Sequence, residues 1–118
     1  MKLTHEASGT FAIAPTPFHD DGRIDESSID RLVDFYTEVG CNGVTVLGIL
    51  GEAPKMDGAE AAAVATRFIK RAKSLQTVVG VSAPGFAAMR GLARASMDAG
   101  AAAVMIAPTP NLRTDDQI

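Results

Sequence analysis

The sequence predicts an α/β fold built on a parallel sheet, and three observations carry that reading. Four short apolar runs rich in β-branched residues or alanine recur, at Phe11–Ala14, Gly43–Leu47, Gln76–Ser82 and Ala102–Ala107. Their centres lie about 26–34 residues apart, the repeat of a strand–helix unit. The runs are continuously apolar rather than alternating, as strands covered on both faces require.

The segments between the runs read as helices. Asp25 to Val39 carries Ile29, Leu32, Val33, Tyr36 and Val39 as one apolar stripe at helical spacing. Asp25 caps its start, and Gly40 ends it in the left-handed conformation that glycine tolerates. Asp20 and Asp21 just ahead suit the positive end of the helix dipole. Cys41 follows and is expected to be a buried thiol. The second helix opens at Asp57-Gly58-Ala59-Glu60, an aspartate version of the capping box. Ala61, Val64, Ala65, Phe68 and Ile69 form its inner face, and Arg67, Lys70, Arg71 and Lys73 a solvated face late in the helix. Phe86 to Ala99 is the third helix, expected to bury Met89, Leu92, Ala93 and Met97 before Gly100 ends it. Thr114-Asp115-Asp116-Gln117 repeats the capping-box pattern and predicts a further helix starting there, one residue before Ile118.

This order, β-α-β-α-β-α-β with a helix beginning, fits two architectures. One is a small doubly wound sheet. The other is the first half of an eight-stranded βα barrel, about 250 residues when whole. In the second case, residues 1–118 are an incomplete domain.

Composition narrows the functional classes. With 118 residues, 47% hydrophobic and 21% charged, the chain is neither disordered nor collagen-like. Twenty alanines and no tryptophan suit helices packed closely on a sheet. A net charge of −3 leaves no electrostatic footprint for nucleic acid or an anionic membrane. The single cysteine excludes an internal disulfide and fits a reducing compartment. Met1 to Ser8 is too polar for a signal peptide, and the apolar stretch Ala99–Pro108 is well short of the roughly 18 residues that span a bilayer. The expectation is a soluble cytoplasmic protein.

In either architecture a ligand meets the loops at the carboxyl ends of the strands. These are Pro15-Thr16-Pro17-Phe18, Gly48-Ile49-Leu50-Gly51-Glu52, Ser82-Ala83-Pro84-Gly85 and Pro108-Thr109-Pro110-Asn111. Gly48 and Gly51 leave the amides of residues 49 to 52 accessible, and such amides can hold a carboxylate without a charged side chain, the alternative being a plain strand-to-loop turn. The loop is neither a dinucleotide fingerprint nor a Walker A sequence. His5 and His19 are isolated from other ligand types, so no metal site is expected. None of the lysines, Lys2, Lys55, Lys70 and Lys73, falls within a strand, where a desolvated amine could act as a nucleophile.

The motif series from Thr10 onward resembles the dihydrodipicolinate synthase / N-acetylneuraminate lyase family of pyruvate-dependent class I aldolases. It consists of Ala14-Pro15-Thr16-Pro17-Phe18, Asp21-Gly22-Arg23-Ile24-Asp25, Gly43-Val44, Gly48-x-x-Gly51-Glu52, Val78-Val79-Gly80-Val81, Asp98-Ala99-Gly100-Ala101 and Ala107-Pro108. The resemblance implies a (β/α)8 TIM barrel, of which this chain holds about the first four units. It also implies a homo-oligomer, dimer or tetramer, that condenses or cleaves 2-oxo acids such as pyruvate through a lysine Schiff base. No cofactor is then required, since a protonated imine is itself the electron sink. The substrate-binding positions it points to are Thr16, Gly48, Ile49, Leu50, Gly51, Glu52 and Thr109. The family's catalytic tyrosine follows the fifth strand and its Schiff-base lysine lies on the sixth, so both fall beyond Ile118. This chain therefore carries no catalytic residue, and it is expected to be inactive alone. A non-catalytic half-barrel or small doubly wound binding module that self-associates is the alternative.

Two departures stand out. The family's loop reads Gly-Thr/Ser-Thr-Gly-Glu, whereas Ile49 and Leu50 here replace both hydroxyl residues. Thr109 and Pro110 stand where the family carries a tyrosine pair. In dihydrodipicolinate synthases one of that pair joins a proton relay. Together these changes point to a relative with a different, more apolar acceptor rather than a true dihydrodipicolinate synthase.

Overall fold

The computed structural model describes residues 2–118. Four parallel strands, β1 (Phe11–Ile13), β2 (Gly43–Val46), β3 (Gln76–Gly80) and β4 (Ala103–Met105), lie side by side in sequence order. Between them run α1 (Glu26–Glu38), α2 (Gly58–Arg71) and α3 (Phe86–Ala99), with a short 3₁₀ turn at Ala53–Lys55. α1 packs on α2 and α2 on α3, so the helices form one continuous layer. A doubly wound sheet reverses its strand order and places helices on both faces. Consecutive order with one helical layer is the barrel arrangement. The result is a two-layer slab of 43 × 42 × 23 Å.

Register sorts the strand side chains between the two faces. Val46 pairs with Val79 and Val79 with Val104. Val46 and Val79 are buried beneath the helices, where Phe68, Ile29, Val33 and Val64 complete the core. The next row, Ile13–Thr45–Val78–Ala103, lies on the opposite face. There Ile13 is 58% exposed. That face corresponds to the inside of a barrel.

The helix ends follow their side chains. Asp25 caps α1 by accepting from the Ser28 amide at 3.0 Å. The hydroxyls of Ser28 and Ser27 donate to the same carboxylate at 2.6 and 2.9 Å. The α2 capping box is complete in both directions between Asp57 and Glu60. Gly40 and Gly100 take positive φ after α1 and α3.

Several expectations need correction. The strands are shorter than the apolar runs, although flanking residues keep single bonds to the neighbouring strand. Ala14, Val81 and Ala102 still donate across to Thr45, Met105 and Thr77. Val39 lies past the end of α1 and is exposed, because the helix stripe has rotated off the sheet by that turn. On α3, Met89, Leu92, Ala93 and Met97 are only half-buried, because this helix has a helical neighbour on one side alone. Its fully buried residue is Ser96, whose hydroxyl has no hydrogen-bond partner. Arg67 and Arg71 do not form a freely solvated face. Arg67 grips Asp30 with two nitrogens, at 2.8 and 2.7 Å, and reaches Glu26 at 3.2 Å. Arg71 holds Asp34 with two more, so α2 is laced to α1. Lys73 falls beyond the helix end. Cys41 is half-buried against the core rather than fully enclosed. Thr114 to Gln117 forms a single turn, in which Gln117 Oε1 accepts the Thr114 amide at 3.3 Å as the capping-box pattern requires. The Gln117 side chain takes up the Arg113 and Thr114 amides, leaving a single backbone bond from Gln117 to Thr114. Ile118 follows that turn as an exposed residue outside any helix.

Candidate functional site

The loops after β1, β2, β3 and β4 gather at the carboxyl edge of the sheet. The loop after β2 is the most constrained. It is bracketed by two non-glycine residues in the left-handed region, Leu47 and Glu52, both at φ 57°. Between them the chain doubles back so tightly that a Cβ on Gly51 would stand 2.9 Å from the Leu47 amide nitrogen. A Cβ on Gly80 in β3 would stand 2.3 Å from the Leu47 carbonyl oxygen. Both glycines therefore clear space around the Leu47 main chain, and the β2 loop lies directly over the end of β3.

Thr16 and Gly51 meet. Thr16 is buried, and its hydroxyl donates to the Gly51 carbonyl at 2.6 Å. That bond ties the first loop to the second. It also occupies the Thr16 proton, so the residue braces the loop rather than presenting a free donor.

The amides divide differently from the sequence expectation. Glu52 donates to the Ile49 carbonyl at 3.0 Å and is not available. Among the described residues, the amides of Gly48, Ile49 and Leu50 have no protein acceptor, nor does that of the buried Gly51. The Ile49 side chain is 95% exposed and that of Leu50 is 56% exposed. The Glu52 carboxylate faces out of the loop and pairs with Lys55 at 2.7 Å. Lys55 is exposed and so lacks the desolvation that makes an amine nucleophilic.

Thr109 is not joined to this group. Its hydroxyl donates to Asn111 Oδ1 within the loop after β4. Ile118, which marks the point beyond which the resemblance puts the tyrosine and the lysine, takes no part in the site either. It is 69% exposed and follows the Thr114–Gln117 turn. Sequence reasoning placed Ser82 in the loop after β3 but gave it no role; its Oγ accepts the Ala107 amide at 2.8 Å and links the loops after β3 and β4. The only signal for it is a hydroxyl ending an apolar run. A shallow groove of about 420 Å³ lined by Pro15, Pro17, Ser28, Arg31, Leu32 and Phe35 contains none of the β2-loop residues. Among the described residues, no cluster of His, Cys, Asp and Glu is arranged to hold a metal ion.

The fold and site define three βα units and a fourth strand of a TIM barrel, with an amide-lined loop at the carboxyl edge of the sheet. The model of the dihydrodipicolinate synthetase family matches residues 6–112, and the chain belongs to that family. It is similar to the crystal structure of dihydrodipicolinate synthase from Rhodopseudomonas palustris, with 82% identity and a TM-score of 0.93. That match covers 99% of this chain and 39% of the other. A 4-hydroxy-tetrahydrodipicolinate synthase of Nitrosococcus oceani is 31% identical over 110 residues, 92% of this chain and 38% of its own length. A prophage protein of the dihydrodipicolinic acid synthase family from E. coli K12, solved in complex with pyruvate, is 25% identical with a TM-score of 0.76. There the match covers 82% of this chain and 34% of that one. The chain thus spans about two fifths of the length of the relatives it matches. The family is one of lyases. Among the described residues, no helix is long and apolar enough to cross a membrane.

Proposed function

We propose that this chain is the carboxylate-recognising part of a Schiff-base aldolase or lyase acting on pyruvate or a related 2-oxo acid. The observation that carries the reading is the β2 loop, where the amides of Gly48, Ile49 and Leu50 have no protein partner at the carboxyl edge of the sheet. Neutral backbone donors of this kind bind a carboxylate through charge-assisted hydrogen bonds, each about 1.5–3 kcal/mol. Gly51 and Gly80 give the loop room, and Thr16 holds it. The pyruvate complex of the prophage relative supports the choice of ligand.

In this reading residues 1–118 are the first three units and the fourth strand of an eight-unit barrel. The amine and the tyrosine of the reaction come from the units that complete it, after Ile118. Thr16 positions the loop, Gly48 to Gly51 bind the carboxylate, and Glu52 and Thr109 flank the site. The enzyme acts in the cytoplasm, where Cys41 stays reduced, and assembles as a homo-oligomer.

Borohydride reduction of the full-length gene product in the presence of pyruvate tests the proposal. The expected result is a mass increase matching one reduced pyruvyl adduct per chain, with no adduct on the isolated 118-residue chain. A full-length protein that stays unmodified refutes the Schiff base.

A further inference from the structure

We infer that the second substrate of this site, the carbonyl compound joined to or released from the 2-oxo acid, is apolar. The inference rests on the carboxylate-binding role proposed above for the β2 loop. Ile49 and Leu50 each contribute a free amide and an exposed apolar side chain from the same residue. A carboxylate held by those amides therefore lies within a few bonds' reach of both side chains, and so does whatever reacts beside it.

Polar recognition is correspondingly scarce. The Thr16 proton is committed to Gly51 and that of Thr109 to Asn111, while Ser82 accepts from Ala107 and keeps its own proton at the far side of the edge. The loop offers neither a hydroxyl to bind a hydroxylated chain nor a proton for the carbonyl oxygen. An aldehyde with an aromatic or branched aliphatic body fits such a rim. In the condensing direction, the methyl carbon of pyruvate loses a proton and bonds to the aldehyde carbon. The carbonyl electron pair becomes a hydroxyl by taking up a proton. Pyruvate and aldehyde together give a 4-hydroxy-2-oxo acid, with no oxidant or reductant.

The test uses the full-length gene product in two arms. The first is borohydride trapping with pyruvate. The second measures kcat/KM with pyruvate and benzaldehyde, glyceraldehyde or glyoxylate in turn. We expect trapping, and a preference for benzaldehyde of about tenfold or more, the scale on which an apolar pocket discriminates. The double variant I49T/L50T, and L50T alone should the double variant melt early, shifts that preference toward glyceraldehyde. Trapping accompanied by equal or better use of glyceraldehyde or glyoxylate overturns this inference and leaves the Schiff base standing. So does a preference that does not move in the variants. Absence of trapping overturns the Schiff base itself, and this inference with it.

Discussion

The hydroxyl of Thr16 donates to the carbonyl of Gly51 across 35 positions of sequence. This short buried bond fixes the loop after β2 relative to β1. Removing the donor leaves a buried carbonyl unpaired, at a cost of about 1–3 kcal/mol. Thr16→Val should therefore lower stability by that order, while Thr16→Ser keeps the bond and loses little. Chemical denaturation of the full-length protein reads the difference. In the same variants, KM for the 2-oxo acid should rise with valine and hold with serine. Equal stability of the two variants would remove the bracing role.

Gly80 makes a sharper test of the same loop. A methyl group there meets the Leu47 carbonyl oxygen at 2.3 Å, and that oxygen is main chain. Gly80→Ala must push either β3 or the loop aside, a strain of about 1–3 kcal/mol or more. Activity should fall further than stability alone explains, because the displaced main chain leads into the free amides. Thermal melts combined with kcat/KM separate the two effects. Full activity at normal stability would mean that the loop position is not needed.

The cap of α1 sets a pH dependence. The Ser28 hydroxyl and amide, followed by the Ser27 hydroxyl, hold the Asp25 carboxyl down at about 2. In the unfolded chain the same carboxyl titrates at about 3.9. The folded state thus favours the carboxylate. Its contribution is fully present above roughly pH 4–5 and disappears as pH falls through about 2. Asp25→Asn caps the helix without titrating. Wild type should be the more stable near neutrality, and its advantage should shrink between about pH 4 and pH 2. The pair comparison matters because Asp21, Asp30 and Asp34 are also held low, by Arg23, Arg67 and Arg71, and tilt both proteins alike. Melting curves at three pH values measure the gap. A constant gap would refute the linkage.

How much can be read in advance depends on how local each determinant is. The capping box at Asp57–Glu60 and the inner face Ala61–Ile69 are legible because cap and stripe are set within one helix. The parallel strands are legible because burial on both sides leaves continuous apolar runs. Their ends are not, since Leu47 stays apolar although β2 stops at Val46. The Arg67–Asp30 and Arg71–Asp34 pairs are invisible in sequence, because each joins residues 37 positions apart. The amide loop is legible from Gly48 and Gly51, but not that Glu52 turns its amide inward to Ile49. Nothing about a leucine signals a positive φ, so the bend at Leu47 emerges only in three dimensions. Thr109 shares its edge of the sheet with the amide loop but makes no bond to it, and edge position is all that sequence reports. The capping pattern at Thr114 is local as well, and Gln117 Oε1 accepts the Thr114 amide.

The two left-handed residues around that loop have a consequence for variation. Non-glycine residues in such conformations cost on the order of 1–3 kcal/mol each. Leu47 recovers part of this by being buried, and Glu52 by pairing with Lys55. Selection for a sturdier chain would favour glycine at Glu52, whereas at Leu47 the buried side chain outweighs the strain. Selection for a loop that keeps its amides in one arrangement would resist it, since glycine widens the conformations open to them. Glu52 is where robustness and exactness of recognition oppose each other, while at Leu47 both keep the leucine.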